Sequence, residues 1–166
     1  LDHWKRIGSE PVFAIGDWDS LKDKKLLKKI DHITLPVRKE RNDLYYALEI
    51  VRGMGVRELT LYGFDAGRFD HEIANIHEIV RFVEKNPKIH VNYQRAKENV
   101  IFLSRTMRKF KLKRGTLVSI FSMGKSDLKK VTLKGFDYPL RNQSVQSSSL
   151  GLSNSVVSQS CSVSVN

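Results

Sequence analysis

The chain has 166 residues, 40% hydrophobic and 28% charged, the proportions of a globular protein large enough for one domain or two small ones. No apolar run reaches the roughly eighteen residues of a membrane-spanning helix, and the single cysteine, Cys161, excludes an internal disulfide and a Cys-based zinc site. The net charge of +11 is uneven: residues 1–105 carry 19 basic and 16 acidic side chains, residues 106–166 carry 10 and 2. Such a basic C-terminal part attracts nucleic acid, anionic lipid or nucleotide phosphates, or is simply a solvated face. Leu1 to Arg6 lacks the apolar core of a signal peptide, and one cysteine suits a reducing compartment, so the cytoplasm is the expected location.

The first elements alternate between strand and helix. Val12 to Ile15 is a short apolar run ending at Gly16, a buried strand delivering a loop. His32 to Pro36 is a second strand, stopped by its proline. Asn42 caps a helix in which Leu44, Leu48 and Val51 recur at i, i+4 and i+7, and Gly53 and Gly55 end it. Glu58 to Gly63 is a third strand. From Asp70 to Glu84, Ile73, Ile76, Val80 and Val83 form one apolar stripe, closed by Asn86-Pro87 before a strand at His90–Tyr93. Strands joined by helices of this length imply crossover connections, hence an α/β domain with a mostly parallel sheet.

Beyond about residue 98 the helical period disappears. Val100–Leu103, Phe110–Leu112, Leu117–Phe121 and Val131–Leu133 are short strands separated by Gly or charged turns, which predicts an all-β, sandwich-like C-terminal domain. The stretch after Asn142 is serine-rich and uncharged, the composition of a disordered tail, yet Cys161 to Val165 alternates with period two. The alternation favours a strand.

Three strand ends carry aspartate. Gly16-Asp17-Trp18-Asp19-Ser20 offers two carboxylates at i and i+2 on a tight turn, a clamp for a hard cation or a solvated turn with Asp19 as a cap. A haloacid-dehalogenase nucleophile loop needs Thr or Val where Leu21 stands, which disfavours that fold. Pro36 to Asp43 places Arg38, Lys39, Glu40, Arg41 and Asp43 at a helix entry, where acidic residues serve capping and basic ones can receive phosphate. Gly63-Phe64-Asp65-Ala66-Gly67-Arg68-Phe69-Asp70-His71 opens the next helix, with a planar guanidinium at Arg68 and a cap or metal ligand at Asp70. His71 and Asn75 share one helical face. Carboxylates from several loops in a cationic protein suggest Mg²⁺ bridging an anionic substrate, the arrangement that phosphoryl transfer uses.

In this order the motifs resemble the thiamine pyrophosphokinase family, whose pattern runs GDFDS, K-D-x-T-D and GxxGGRxDH. The resemblance continues through Gly115-Thr116-Leu117-Val118-Ser119-Ile120, then Val131 to Leu140 as V-x-x-x-G-F-x-Y-P-L, then Gly151-Leu152-Ser153-Asn154 as G-x-S-N. It implies a catalytic α/β domain at 1–104, a thiamine-binding β-sandwich domain at 105–166, and a homodimer with the active site between subunits. It implies transfer of a diphosphoryl group from ATP to thiamine with Mg²⁺. Asp17, Asp19 and Asp43 are the implied metal ligands, and Asp43 the implied general base. Asp19, Asp70 and Arg68 complete the implied catalytic set. Asp17, Asp19, Ser20, Lys39 and Arg68 are expected at the nucleotide. Tyr138 is expected to stack on a thiamine ring, and Ser153 and Asn154 to hydrogen-bond the pyrimidine.

The chain departs from the pattern in places. Glu40 replaces Asp, Asn42 replaces Thr, Trp18 replaces Phe, and Ala66-Gly67 replaces Gly-Gly. The family's first strand with its ADGGAN-like loop is not matched, nor its last strand, so the sequence is expected to be incomplete at both ends. Two other readings stand beside this one: a related pyrophosphokinase acting on another alcohol, and a basic nucleic-acid-binding module. The second lacks an RNP-like or KH-like motif.

Overall fold

A computed structural model describes residues 11–64, 67–124 and 127–165. The chain divides into two units, 1–56 and 57–166.

In the first unit, β1 (Ala14–Gly16) pairs in parallel with β2 (His32–Thr34), Ala14 opposite His32 and Gly16 opposite Thr34. The pairing is extended at both ends, because Ala14 N–H donates to Asp31 C=O at 2.8 Å and Leu35 N–H to Gly16 C=O at 2.8 Å. Between the strands lies a 3-10 turn, Lys24–Lys29, that periodicity did not reveal. Its one buried side chain is Leu26 and its cap is Asp23, whose carboxylate accepts from Lys25 N–H. Helix α1 (Asp43–Gly53) starts as its sequence predicts: the Asn42 side-chain Oδ1 accepts from Tyr45 N–H at 3.1 Å, and Leu44 and Leu48 are buried.

In the second unit, β3 (Glu58–Tyr62) and β4 (His90–Gln94) run parallel, joined through α2 (Phe69–Lys85). Strand β5 (Asn99–Phe102) then turns back antiparallel on β4. The connection is a tight hairpin, in which Arg95 N–H donates to Glu98 C=O at 2.9 Å. The sequence places residues 100–103 with the later all-β strands, whereas this one completes the sheet that carries α2. The buried stripe of α2 is Ile79, Phe82 and Val83, rotated from the predicted one; Ile73 is 40% exposed, and Ile76 and Val80 are half-buried.

The remainder is all-β. Strands β6 (Thr106–Lys111), β8 (Leu128–Lys134), β9 (Leu140–Val145) and β11 (Ser160–Val165) form one antiparallel sheet in the order β6-β11-β8-β9. Strands β7 (Leu117–Val118) and β10 (Asn154–Ser155) form a separate antiparallel ribbon. Alternation sends Val131 and Leu133 of β8 and Cys161 and Val163 of β11 into a core shared with Phe136, Val145 and Val156. The serine-rich end is therefore strand: its serines lie at positions alternating with the core residues. Gly135 has φ +82°, and a Cβ there would lie 2.8 Å from Ser160 C=O, so only glycine fits where the chain leaves β8 beside β11.

Candidate active site

The loop after β1 is held by its tryptophan. Trp18 adopts φ 61°, a left-handed conformation rare for an aromatic residue. Its indole N–H donates to Thr34 Oγ1 at 3.0 Å and its ring meets His32 edge-on at 5.9 Å, which fixes the loop to β2. In this loop Asp17 is half-buried, and Asp19 and Ser20 are exposed. Lys39, in the irregular segment before α1, reaches into the same place. Its Nζ donates to Asp17 Oδ2 at 2.8 Å and lies 2.9 Å from Asp43 Oδ1. The Lys39 side chain is only 10% exposed.

The two charges reinforce each other. The Asp17 carboxylate, hydrogen-bonded to Nζ, and then the Asp43 carboxylate beside it raise the Lys39 pKa, and Lys39 holds the Asp17 carboxyl below its ordinary value. Asp43 sits in the first turn of α1, where the helix dipole favours its charge. Its Oδ2 lies 3.5 Å from where a Gly16 Cβ would stand, which places the carboxylate directly against the end of β1. Its buried Oδ1 has the nearby ammonium charge but no hydrogen bond of good geometry. Glu40 is exposed.

The loop after β3 belongs to the second unit. Gly63 takes φ +80°. Arg68, the residue preceding α2, makes a two-pronged contact with Asp70: Nε donates to Oδ1 at 3.1 Å and Nη2 to Oδ2 at 2.5 Å. Asp70 Oδ1 also accepts from His71 N–H. Both side chains are mostly exposed, and the guanidinium lowers the Asp70 pKa. A cavity of about 210 Å³ lies here, lined by Gly63, Phe64, Gly67, Arg68, His71 and Asn75. His71 and Asn75 thus share one face, as their spacing predicts. Asp65 and Ala66 lie outside the described residues. Sequence reasoning missed Phe64, whose ring meets Tyr93 edge-on at 5.9 Å, and Glu72, which accepts from Tyr93 O–H and pairs with Arg95. Phe64 stands at a variable position of the motif and Glu72 just beyond it.

In the all-β part the structure brings Tyr138, Ser153 and Asn154 together. Tyr138 is 71% exposed, presented on a backbone that Asn154 grips at both ends. Asn154 Oδ1 accepts from Tyr138 N–H at 3.0 Å, and Nδ2 donates to Tyr138 C=O at 2.8 Å. The amide expected at the pyrimidine therefore has a structural task. Ser153 is exposed at φ 56°, its N–H donating to Ser119 Oγ at 3.1 Å. A Cβ on Gly151 would fall 2.0 Å from Ile120 C=O, so the G-x-S-N glycine permits a backbone approach no side chain allows.

Models of known families account for most of the chain. The catalytic domain of thiamin pyrophosphokinase matches residues 2–91, and the vitamin B1 binding domain of thiamin pyrophosphokinase matches residues 103–166. The chain belongs to the thiamin pyrophosphokinase family. It forms thiamine diphosphate from thiamine, with ATP as the other substrate. Solved structures share the fold. Thiamine pyrophosphokinase from Bacillus subtilis is 24% identical, with a TM-score of 0.83 over 97% of this chain and 77% of that one. Thiamin pyrophosphokinase from Candida albicans is 14% identical, with a TM-score of 0.78 over 99% and 73%. No curated protein gives a significant match.

For a thiamin pyrophosphokinase, the first unit's ion-pair cluster is the place to test for a metal. Mg²⁺ takes one or two protein carboxylates and completes its shell with water and phosphate oxygens. Among the described residues no three His, Cys, Asp or Glu side chains gather as a ligand set. Asp17 and Asp43 converge on one cation, and Asp43 Oδ1 is buried and poorly hydrogen-bonded. That donor pair fits a phosphate-bound Mg²⁺. No helix among the described residues is long and apolar enough to cross a membrane.

Proposed function

We propose that Asp17 and Asp43 hold Mg²⁺ with the nucleotide, that Asp19 joins them from the exposed loop tip, and that Asp43 is the general base. The observation that carries this is the convergence of Asp17 and Asp43 on the Lys39 ammonium at 2.8 and 2.9 Å, where a cation already sits. When bound, the metal supplies charge neutralisation along the phosphate chain. The thiamine primary hydroxyl forms a bond to the β-phosphorus of ATP, its proton passes to Asp43, and the bond from that phosphorus to the α-phosphate oxygen breaks to release AMP. Lys39, Ser20 and Arg68 donate to phosphate oxygens, and Asp70 orients the Arg68 fork.

Residues 1–104 form the catalytic domain and residues 105–166 a thiamine-binding β-sandwich. There Tyr138 stacks on a thiamine ring, Ser153 hydrogen-bonds the pyrimidine, and Asn154 serves the same pocket. Two copies pair, with the active site between the catalytic part of one and the thiamine-binding part of the other. Exposed apolar side chains around the G-x-S-N turn support an interface: Leu117 is 67%, Leu150 76% and Leu152 51% exposed. The enzyme works in the cytoplasm. The test is AMP release from Mg·ATP on addition of thiamine, compared with other vitamin alcohols. AMP appearing only with thiamine supports the reading, and AMP with another alcohol in its place overturns it.

A further inference from the structure

The convergence on Lys39 raises a question of occupancy. Asp17 Oδ2 and Asp43 Oδ1 lie within hydrogen-bond reach of one nitrogen, hence within about 6 Å of each other. Mg²⁺ needs those oxygens at about 2.0–2.1 Å, so it would occupy the ground the ammonium holds, and two cations there repel. We infer that Lys39 is an internal counter-cation, keeping the metal's place between Asp17 and Asp43 in the ligand-free protein and moving onto nucleotide phosphate when a divalent ion takes the carboxylates. The inference rests on the proposed role of Asp17 and Asp43 as metal-holding residues.

Three features support the exchange. Lysine is a point charge on a flexible four-carbon stem, unlike the fixed fork of arginine, and Lys39 stands in neither helix nor strand. Its contacts are unequal: it makes an aligned hydrogen bond to Asp17, whereas Asp43 Oδ1 receives charge without alignment. Asp43 is therefore the carboxylate that leaves the ammonium first. Without Lys39 the two carboxylates would face each other unneutralised, a state that binds a divalent ion avidly and is otherwise unfavourable. Lys39 thus weakens binding of free metal, but not of metal that arrives with phosphate, because the phosphate offers the displaced ammonium a new anion. By linkage, metal and nucleotide bind with positive coupling.

The experiment is calorimetric titration of Mn²⁺ into the nucleotide-free protein, repeated with the inert analogue α,β-methylene-ATP. Lys39→Met should bind Mn²⁺ at least about tenfold more tightly than wild type, and the analogue's enhancement of metal affinity should shrink. Lys39→Arg, which keeps the charge, should retain the weak affinity. Asp17→Asn should lose affinity in either background. Metal affinity in Lys39→Met equal to or weaker than wild type overturns the proposal. Should Lys39→Met fail to fold, Lys39→Gln keeps a donor for Asp17 without the charge and carries the same expectation. Wild-type AMP release is measured alongside. If it requires thiamine while Lys39→Met leaves metal affinity unchanged, the exchange alone fails; if wild type releases no AMP with thiamine, the functional reading fails.

Discussion

Replacing Asn154 separates a residue that positions Tyr138 from one that touches thiamine. The residue is 8% exposed, and its side-chain amide hydrogen-bonds both the N–H and the C=O of Tyr138, at 3.0 and 2.8 Å. Asn154→Ala removes both. At about 0.5–1.5 kcal/mol net per hydrogen bond the loss is about 1–3 kcal/mol, or roughly 2–12 °C in Tm for a chain of this size. Freed backbone at Tyr138 should scatter its ring over many orientations and raise KM for thiamine on the order of tenfold, with a smaller change in kcat. The assay pairs thermal unfolding with steady-state AMP release against thiamine concentration. Asn154→Asp, which keeps the acceptor for Tyr138 N–H and loses the donor to its carbonyl, should fall between wild type and alanine in KM. Wild-type stability together with weakened thiamine binding would refute the reasoning, since it would mean direct contact with the ligand.

Gly151→Ala places a methyl 2.0 Å from Ile120 C=O and threatens the Ile120 N–H to Gly151 C=O bond of 2.9 Å. The combined cost is about 2–4 kcal/mol, read by chemical denaturation. Gly53→Ala, where a Cβ meets nothing within 4 Å, should be neutral or slightly stabilising. Cys161 is 2% exposed, and burial raises its thiol pKa above the ordinary 9.0. The neutral thiol therefore contributes stability that is fully present below pH 9.0 and is lost as pH rises through its elevated folded value. Alkaline unfolding should be milder in Cys161→Ala, and iodoacetamide should modify native Cys161 far more slowly at pH 8 than the unfolded chain.

Local chemistry was legible in this sequence wherever one residue type decided it. Asn42 before an i, i+4 stripe reads as a cap, Pro36 as the stop of a strand, and the period-two alternation around Cys161 favours a strand over a disordered tail. The α2 stripe was misplaced because Ile73 and Phe82 both suit a helix face and only the packing partners choose between them. Strand β5 was assigned to the wrong neighbours because a strand's pattern does not name its partner; the Arg95–Glu98 hairpin does. The Asp17, Lys39 and Asp43 motifs were visible, but that one ammonium would bridge both carboxylates was not. That contact joins residues 22 positions apart through a loop in which Trp18 takes a left-handed conformation, which tryptophan by itself disfavours. The grip of Asn154 on the Tyr138 backbone was not legible, because motif position says nothing about which way an amide faces.

The role of Asp43 is tested most directly by the rate of thiamine-dependent AMP release from Asp43→Asn at saturating Mg·ATP, with circular dichroism to verify the fold. Loss of the base and of one carboxylate at the metal should lower kcat at least about a hundredfold. A natively folded Asp43→Asn that releases AMP at the wild-type rate would contradict the account.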